Sequence, residues 1–228
     1  MNPERPDSPQ SGRPKLVLAT SNPGKLAELA RILSAGHVAV ELAGLGEFPG
    51  APDVAETGAT FDENALLKAR AIAQFTGLPA VADDSGLCVD ALNGMPGVLS
   101  ARWSGAHGDD EGNLRLVLGQ LGDVPDGRRG AHFACLAALV LPSGREHLSE
   151  GAVHGRLIDA PRGANGFGYD PIFVPDPAEL AAAGLDGGPG SALGGLTTGE
   201  LEPGIKDRIS HRGKALRGMA PVIGAWCL

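Results

Sequence analysis

No apolar stretch in this 228-residue chain is longer than the nine residues at 133–141, less than half the length needed to cross a bilayer. The first fifteen residues, MNPERPDSPQSGRPK, contain no hydrophobic segment of the kind that directs secretion. These two absences predict a chain that stays off the membrane and in the cytoplasm. Cysteine is scarce: Cys88, Cys135 and Cys227 are odd in number, far apart and without a CxxC pair. That excludes a disulfide framework and a zinc–thiolate site, and fits a reducing compartment. Aromatic residues make up only 4% of the chain, so the core must rest on Leu, Val, Ile and Ala. Positive charge is also short. Nineteen Lys and Arg against 27 Asp and Glu give a net charge of −8. A uniformly basic coat for a nucleic-acid polymer is excluded, although a local basic pocket is not.

What remains is 43% hydrophobic and 20% charged, enough for a sizeable core. A Pro- and Ser-rich lead occupies residues 1–14 and reads as disordered. Residues 15–228 read as one domain, with a flexible Gly/Ala-rich loop at about 181–203. KLVLA at 15–19 predicts a buried strand. A helix follows, with Leu26, Leu29, Ala30 and Leu33 on one face, Asn22 as its N-cap and Pro23 at its first position. A second helix starts near Thr60, which has capping-box spacing to Glu63. Its apolar stripe is Phe61, Ala65, Ala69 and Ile72. PAVA at 79–82 reads as a strand that ends in Asp83-Asp84-Ser85-Gly86. A third helix covers about 113–121. Two strands at 132–141 and 145–153 flank a Pro-Ser-Gly turn and predict a hairpin. A last helix begins near Ser210, with Leu216, Met219, Ala220 and Ile223 inward. Alternating helices and strands with one hairpin specify an α/β fold with a mixed sheet.

Four motifs carry candidate chemistry. Thr20, Ser21, Asn22, Pro23, Gly24 and Lys25 join a strand to a capped helix. Free N–H groups and the positive end of the helix dipole suit a phosphate there, and Lys25 would add a full charge. The pattern is not a Walker A loop, because Ala19 and Leu26 stand where Gly and Ser or Thr are required. An ordinary capped turn is the alternative. Asp83 and Asp84 point to opposite sides of an extended chain, so one can hold Mg²⁺ while the other anchors the loop. An Asx-turn has the same composition. Gly166-Phe167-Gly168-Tyr169-Asp170 lets backbone approach a planar ligand while a ring stacks on it, or else the rings fold back over the core. Lys206, Ser210, His211, Arg212 and Lys214 crowd positive charge at a helix start, which an anion would relieve and which solvent could also accommodate.

Together TSNPGK, ETGATFDENALLKA, ADDSGL followed by GMPGVLSARWSG, NGFGYDPIF and SHRGKAL occur in the order found in the inosine triphosphate pyrophosphatases. The chain closely resembles that family, its bacterial XTP/dITP diphosphatase branch in particular, over about residues 15–224. It departs from the family in the lead and in the long Gly/Ala-rich stretch. The resemblance implies an elongated fold of two lobes around a mixed sheet with the substrate in the cleft, and a homodimer. It implies Mg²⁺-dependent cleavage of ITP, dITP and XTP to monophosphate and pyrophosphate. Carried over motif by motif, residues 20–25 would hold the triphosphate and Asp84 would be the catalytic carboxylate and a metal ligand. Glu56 would be a second metal carboxylate. Ser85 would touch substrate, Phe167 would stack on the base, and Gly168, Tyr169 and Asp170 would complete the pocket. Lys206, His211 and Arg212 would meet the base edge and phosphates. The competing readings are a non-catalytic purine-nucleotide module, which would need no metal carboxylates, and a phosphotransferase, which the failed Walker A pattern opposes.

Overall fold

The computed structural model of the chain describes residues 13–227. The lead expected at 1–14 therefore lies outside the described residues except for Arg13 and Pro14. Among the described residues six strands form one mixed sheet: β1 (Lys15–Leu18), β2 (Glu41–Gly44), β3 (Ala80–Val89), β4 (Gly130–Val140), β5 (Glu146–Leu157) and β6 (Phe173–Pro175). Their order is β2-β1-β3-β4-β5-β6. β1 runs parallel to β2 and β3, and the remaining pairs are antiparallel. The helices are α1 (Pro23–Ala35), α2 (Phe61–Thr76), α3 (Asp110–Gln120), α4 (Pro177–Ala182), α5 (Pro203–Ile209) and α6 (His211–Cys227). Among the described residues, no helix is long and apolar enough to cross a membrane.

The caps follow from side-chain chemistry. Asn22 accepts from the N–H groups of Gly24 and Lys25, with Pro23 at the first helical position, where a missing N–H costs nothing. The Thr60 hydroxyl accepts from Glu63 N–H, and the Glu63 carboxylate reaches back to Ala59 N–H at 2.6 Å, one residue earlier than a standard capping box.

Strand alternation divides the core. Leu16, Leu18, Val81, Cys135, Ala137 and Leu139 face α1 and α6, whose Leu29, Leu33, Leu216, Met219, Ala220 and Ile223 close that layer. Val17, Ala80, Ala82, Ala138 and Val140 face α2, through Ala65, Ala69, Ile72 and Ala73. A second body of core lies toward the far ends of β3, β4 and β5, where α3 contributes Leu114 and Val117, beside Tyr169, Ile172 and Phe173.

Three expectations are revised. The strand read at 79–82 continues to Val89, so Asp83-Asp84-Ser85-Gly86 lies within it as extended backbone and the alternative Asx-turn does not form. Its pairing with β4 runs from Ala80↔Val140 to Val89↔Ala131, and this long ladder outweighs the turn propensity of the D-D-S-G composition. Ala30 lies outside the buried stripe of α1, whose fully buried residues are Leu29 and Leu33. The Gly/Ala-rich stretch is also anchored more than its composition suggests. Leu180, Leu201 and Ile209 form a small cluster with Leu185, Leu193 and Leu196, and Thr197 and Thr198 are buried. Composition cannot reveal this, because a handful of leucines and two threonines do the holding.

One glycine decides where α6 sits. A Cβ on Gly151 of β5 would come within 2.2 Å of the His211 carbonyl oxygen and 2.6 Å of the Ala215 nitrogen. Both are α6 backbone, which cannot rotate away. Gly151→Ala should cost about 1–3 kcal/mol of overpacking. At about 2–4 °C per kcal/mol, Tm should fall by about 2–12 °C in a thermal melt. A variant with unchanged Tm would show that α6 does not rest on this contact.

Candidate functional site

Asp83 and Asp84 are neighbours on a strand and so face opposite layers. Asp83 shares its side with Val81 and meets α1 and α6. Its carboxylate accepts from Lys25 Nζ at 2.9 and 3.1 Å and from Arg212 Nε at 3.0 Å. Its side chain is only 4% exposed. Burial alone would raise its pKa, but the charges of Lys25 and Arg212 overturn that and hold it well below the usual carboxylate range. Arg212 also reaches Ser85 Oγ, at 3.3 Å. The first charge of α1 and the first charge of α6 are thus tied to one buried anion.

Asp84 meets α2. Asn64 donates to its Oδ2 at 3.0 Å, Ser85 N–H donates to its Oδ1 at 3.1 Å, and Lys68 Nζ lies 3.6 Å away. Lys68 also binds the Glu56 carboxylate at 2.5 Å, so one ammonium stands between two acids. Arg102 donates to the Glu56 carbonyl at 3.2 Å and lies 3.7 Å from its carboxylate. Burial pushes the Asp84 carboxyl above its ordinary value. Lys68 and Asn64 pull it back, and Glu56 pushes it further up. Asp84 and Glu56 are oxygen donors of the kind that Mg²⁺ takes, one or two carboxylates with phosphate and water completing its shell.

On the Asp83 side a pocket of about 340 Å³ opens, lined by Ser85, Phe167, Lys206, His211 and Arg212 among others. The His211 ring lies nearly parallel to Phe133, with centroids 5.1 Å apart and an interplanar angle of 14°. Burial, and then the Arg212 charge, lowers its pKa to about 3. His211 is therefore a neutral imidazole at physiological pH, able to donate from one nitrogen and accept at the other. The Phe167 ring is 68% exposed at the pocket wall, with Lys206 Nζ 5.6 Å from its centroid. Asp170 organises that wall: it accepts from Phe167 N–H at 2.9 Å and Thr198 Oγ1 at 2.8 Å, and pairs with Lys206.

The residues singled out in the sequence thus fall into two groups. Ser85, Phe167, Gly168, Tyr169, Asp170, Lys206, His211 and Arg212 line one pocket. Tyr169 turns its ring into the core and donates to the Ser100 carbonyl at 2.8 Å. Asp84 and Glu56 lie on the opposite layer, toward α2. Lys25 is joined to the pocket through Asp83. In the loop before it, Thr20 Oγ1 accepts from Asn22 N–H at 3.1 Å and so shapes the turn, while Ser21 is exposed. Three participants had no assigned role: Asn64, Lys68 and Glu28, whose half-buried carboxyl lines the pocket and is raised in pKa by burial. Asn64 and Lys68 are polar residues at i and i+4 beside the buried Ala65 and Ala69, a spacing that puts both on one face of α2 without saying what that face meets.

The Ham1 family model matches residues 16–222 of the chain. A dITP/XTP pyrophosphatase of Streptomyces coelicolor is 53% identical over 209 residues, 92% of this chain and 96% of that protein. One from Corynebacterium efficiens is 53% identical over 210 residues, 92% of this chain and 97% of that protein. The crystal structure of a nucleoside-triphosphatase, dITP/XTP pyrophosphatase, from Mycobacterium abscessus superposes with a TM-score of 0.71 at 52% identity, covering 91% of this chain and 99% of that one. A HAM1 protein from Coxiella burnetii superposes with a TM-score of 0.78 at 39% identity, covering 93% and 99%.

The Asp83 anchor generates a stability test. Asp83→Asn leaves Lys25 and Arg212 facing each other without their anion. Breaking a buried pair costs about 3–5 kcal/mol, and the lower end applies because Lys25 keeps a quarter of its side chain in solvent. Tm should drop by about 6–12 °C. Because the folded-state pKa of Asp83 is depressed, its contribution is complete above the ordinary carboxylate pKa of ~4 and is lost as pH falls below it. Denaturant melts of the two proteins should therefore differ by a constant amount from pH 5 to 7 and converge below pH 4. A difference that grew on acidification would be the wrong sign for an ion-pair anchor.

Proposed function

The chain belongs to the Ham1 family, and from that premise we propose that it hydrolyses deaminated purine nucleoside triphosphates, ITP, dITP and XTP, to the monophosphate and pyrophosphate. The observation that carries this reading is the Glu56–Lys68–Asp84 cluster, one strand residue away from a pocket walled by an aromatic ring and a neutral histidine. The relatives named dITP/XTP pyrophosphatases, at above 50% identity over nearly their whole length, support the substrate class.

Two layers can serve one substrate because the edge of β3 is open between them. β1 pairs with β3 only at Val17↔Ala80 and Leu18↔Val81, and Ala19 N–H adds one bond to the Val81 carbonyl. Farther along, Ser100 Oγ accepts from Leu87 N–H at 2.9 Å. Between these contacts residues 83–85 have no strand on that side among the described residues. We place the nucleotide across this gap: base in the pocket on Phe167, triphosphate over the edge beside residues 20–25, scissile phosphorus near Asp84.

Asp84 then orients the attacking water and takes its proton as the bond to phosphorus forms. Its raised pKa makes it a stronger base than an exposed aspartate, and Asn64 fixes its carboxylate plane. Lys68 and Lys25 offset the charge that builds on the phosphoryl oxygens and the departing pyrophosphate. Mg²⁺, held by Asp84 and Glu56, would supply further charge neutralisation at the triphosphate. His211 and Arg212 read the base. The 6-keto oxygen of hypoxanthine or xanthine accepts a hydrogen bond that the 6-amino group of adenine cannot, so adenine leaves a buried donor unpaired. Arg212 also holds Asp83, so His211 is the cleaner reader of the two. We further propose a homodimer in the cytoplasm.

A substrate panel with product identification tests the proposal. ITP with Mg²⁺ should yield IMP and pyrophosphate in equal amounts, and ATP should react far more slowly. Release of orthophosphate instead would reject it. Asp84→Asn keeps shape and removes the charge, and should lower kcat by about 10²-fold or more. EDTA should abolish turnover and added Mg²⁺ should restore it, read by pyrophosphate release; full activity in metal-free buffer would remove the metal from the reaction.

A further inference from the structure

The Phe167 ring stands 68% in solvent, so its own side-chain packing does not fix it. Its backbone is fixed instead. Two consecutive N–H groups are each taken by a carboxylate from a different element: Phe167 N–H by Asp170 Oδ2 at 2.9 Å, and Gly168 N–H by Asp110 Oδ2 at 3.0 Å. Asp170 belongs to the same loop, but Asp110 comes from α3, 58 residues away in sequence. Both flanking glycines, Gly166 and Gly168, have positive φ, at 80° and 61°. A loop built on two left-handed glycines has many alternative conformations, so an external tether has something to restrict.

Helix capping does not explain Asp110. The N-cap is Asp109, which accepts from Gly112 N–H at 3.0 Å, and Glu111 pairs with Arg115 at 2.5 Å. Of the three successive acids, only Asp110 reaches across to the loop, and its side chain also borders the pocket. We propose that Asp110 is a positioning residue for base recognition: it latches the Phe167 loop so that the ring is already in place when the purine arrives. This inference rests on the base-stacking role given to Phe167 above. It extends the recognition machinery to α3, an element otherwise engaged in the second body of core.

The latch acts on the base and not on the phosphates, so the two can be separated. Asp110→Ala should weaken binding of IMP, measured by calorimetry, and raise KM for ITP, each by about 5- to 30-fold, with kcat within about twofold. Asp110→Asn retains an oxygen acceptor and should recover most of the loss. Inhibition by tripolyphosphate, which has no base, should be unchanged in both variants. In a Phe167→Ala background, Asp110→Ala should have little further effect, because the ring it positions is gone. Wild-type IMP affinity in Asp110→Ala would overturn the proposal. So would a loss of tripolyphosphate inhibition with a lowered Tm, or fully multiplicative losses in the double variant. If ITP were not a substrate at all, the functional reading would fail, while the IMP titrations would still decide the latch.

Discussion

Two adjacent aspartates on an extended strand cannot face the same way, and most of the architecture around the site answers that constraint. Asp83 and Asp84 each enter a layer where an isolated carboxylate would be costly. Each therefore draws its own counter-charges from the helices packed there. Asp83 takes Lys25 from α1 and Arg212 from α6, and Asp84 takes Asn64 and Lys68 from α2. The two outcomes are opposite. Asp83 has two close cations and stays ionised, with little scope for proton chemistry. Asp84 has one cation, shared with Glu56, and its carboxyl is raised by burial. One dipeptide thus provides a fixed electrostatic anchor and, in the reaction proposed above, the base.

The helices that balance these charges also carry residues proposed to bind the substrate. Asp83 ties the start of α1, and with it the loop at 20–25, to the start of α6, which bears His211. The proposed binding mode, with the triphosphate at residues 20–25 and the base at His211, needs those two helix starts at a set distance, and a buried ion triad holds it. Gly151 lets α6 approach β5 closely enough for the triad to form. Packing and charge here depend on each other: without the close approach Arg212 would not reach the strand, and without Asp83 two cations would repel across the gap.

Much of this was legible in the sequence. The alternation of strands directly implied that Asp83 and Asp84 serve different surfaces, and the capped TSNPGK turn identified the start of α1. Other parts were not legible, for identifiable reasons. D-D-S-G is equally good turn composition, and only the ten-residue ladder with β4, a non-local pairing, decides for strand and carries it to Val89. The roles of Asn64 and Lys68 depend on which side of the sheet α2 covers, which helical periodicity alone does not state. Asp110 lies in an acidic run that looks like ordinary N-terminal helix charge. Its partner is a backbone N–H 58 residues distant, and backbone partners leave no mark in a side-chain pattern.

In the base-reading role proposed for His211, burial replaces titration as the recognition device. A solvent-exposed imidazole would change charge near neutral pH and present a cation to the base for part of that range. His211 stacks on Phe133 next to Arg212, and burial lowers its pKa to about 3, which keeps it neutral near physiological pH. Its donor and acceptor pattern is then constant across the physiological range, and so would be the proposed comparison between a keto and an amino group. The same depression has a stability consequence of defined sign. The unfolded chain gains a proton at His211 as pH falls through about 6.5 and the folded chain does not, so acidification from that point favours unfolding. Burial is the main cause of that depression, and the charges of Arg212, Lys206 and Lys25 add to it.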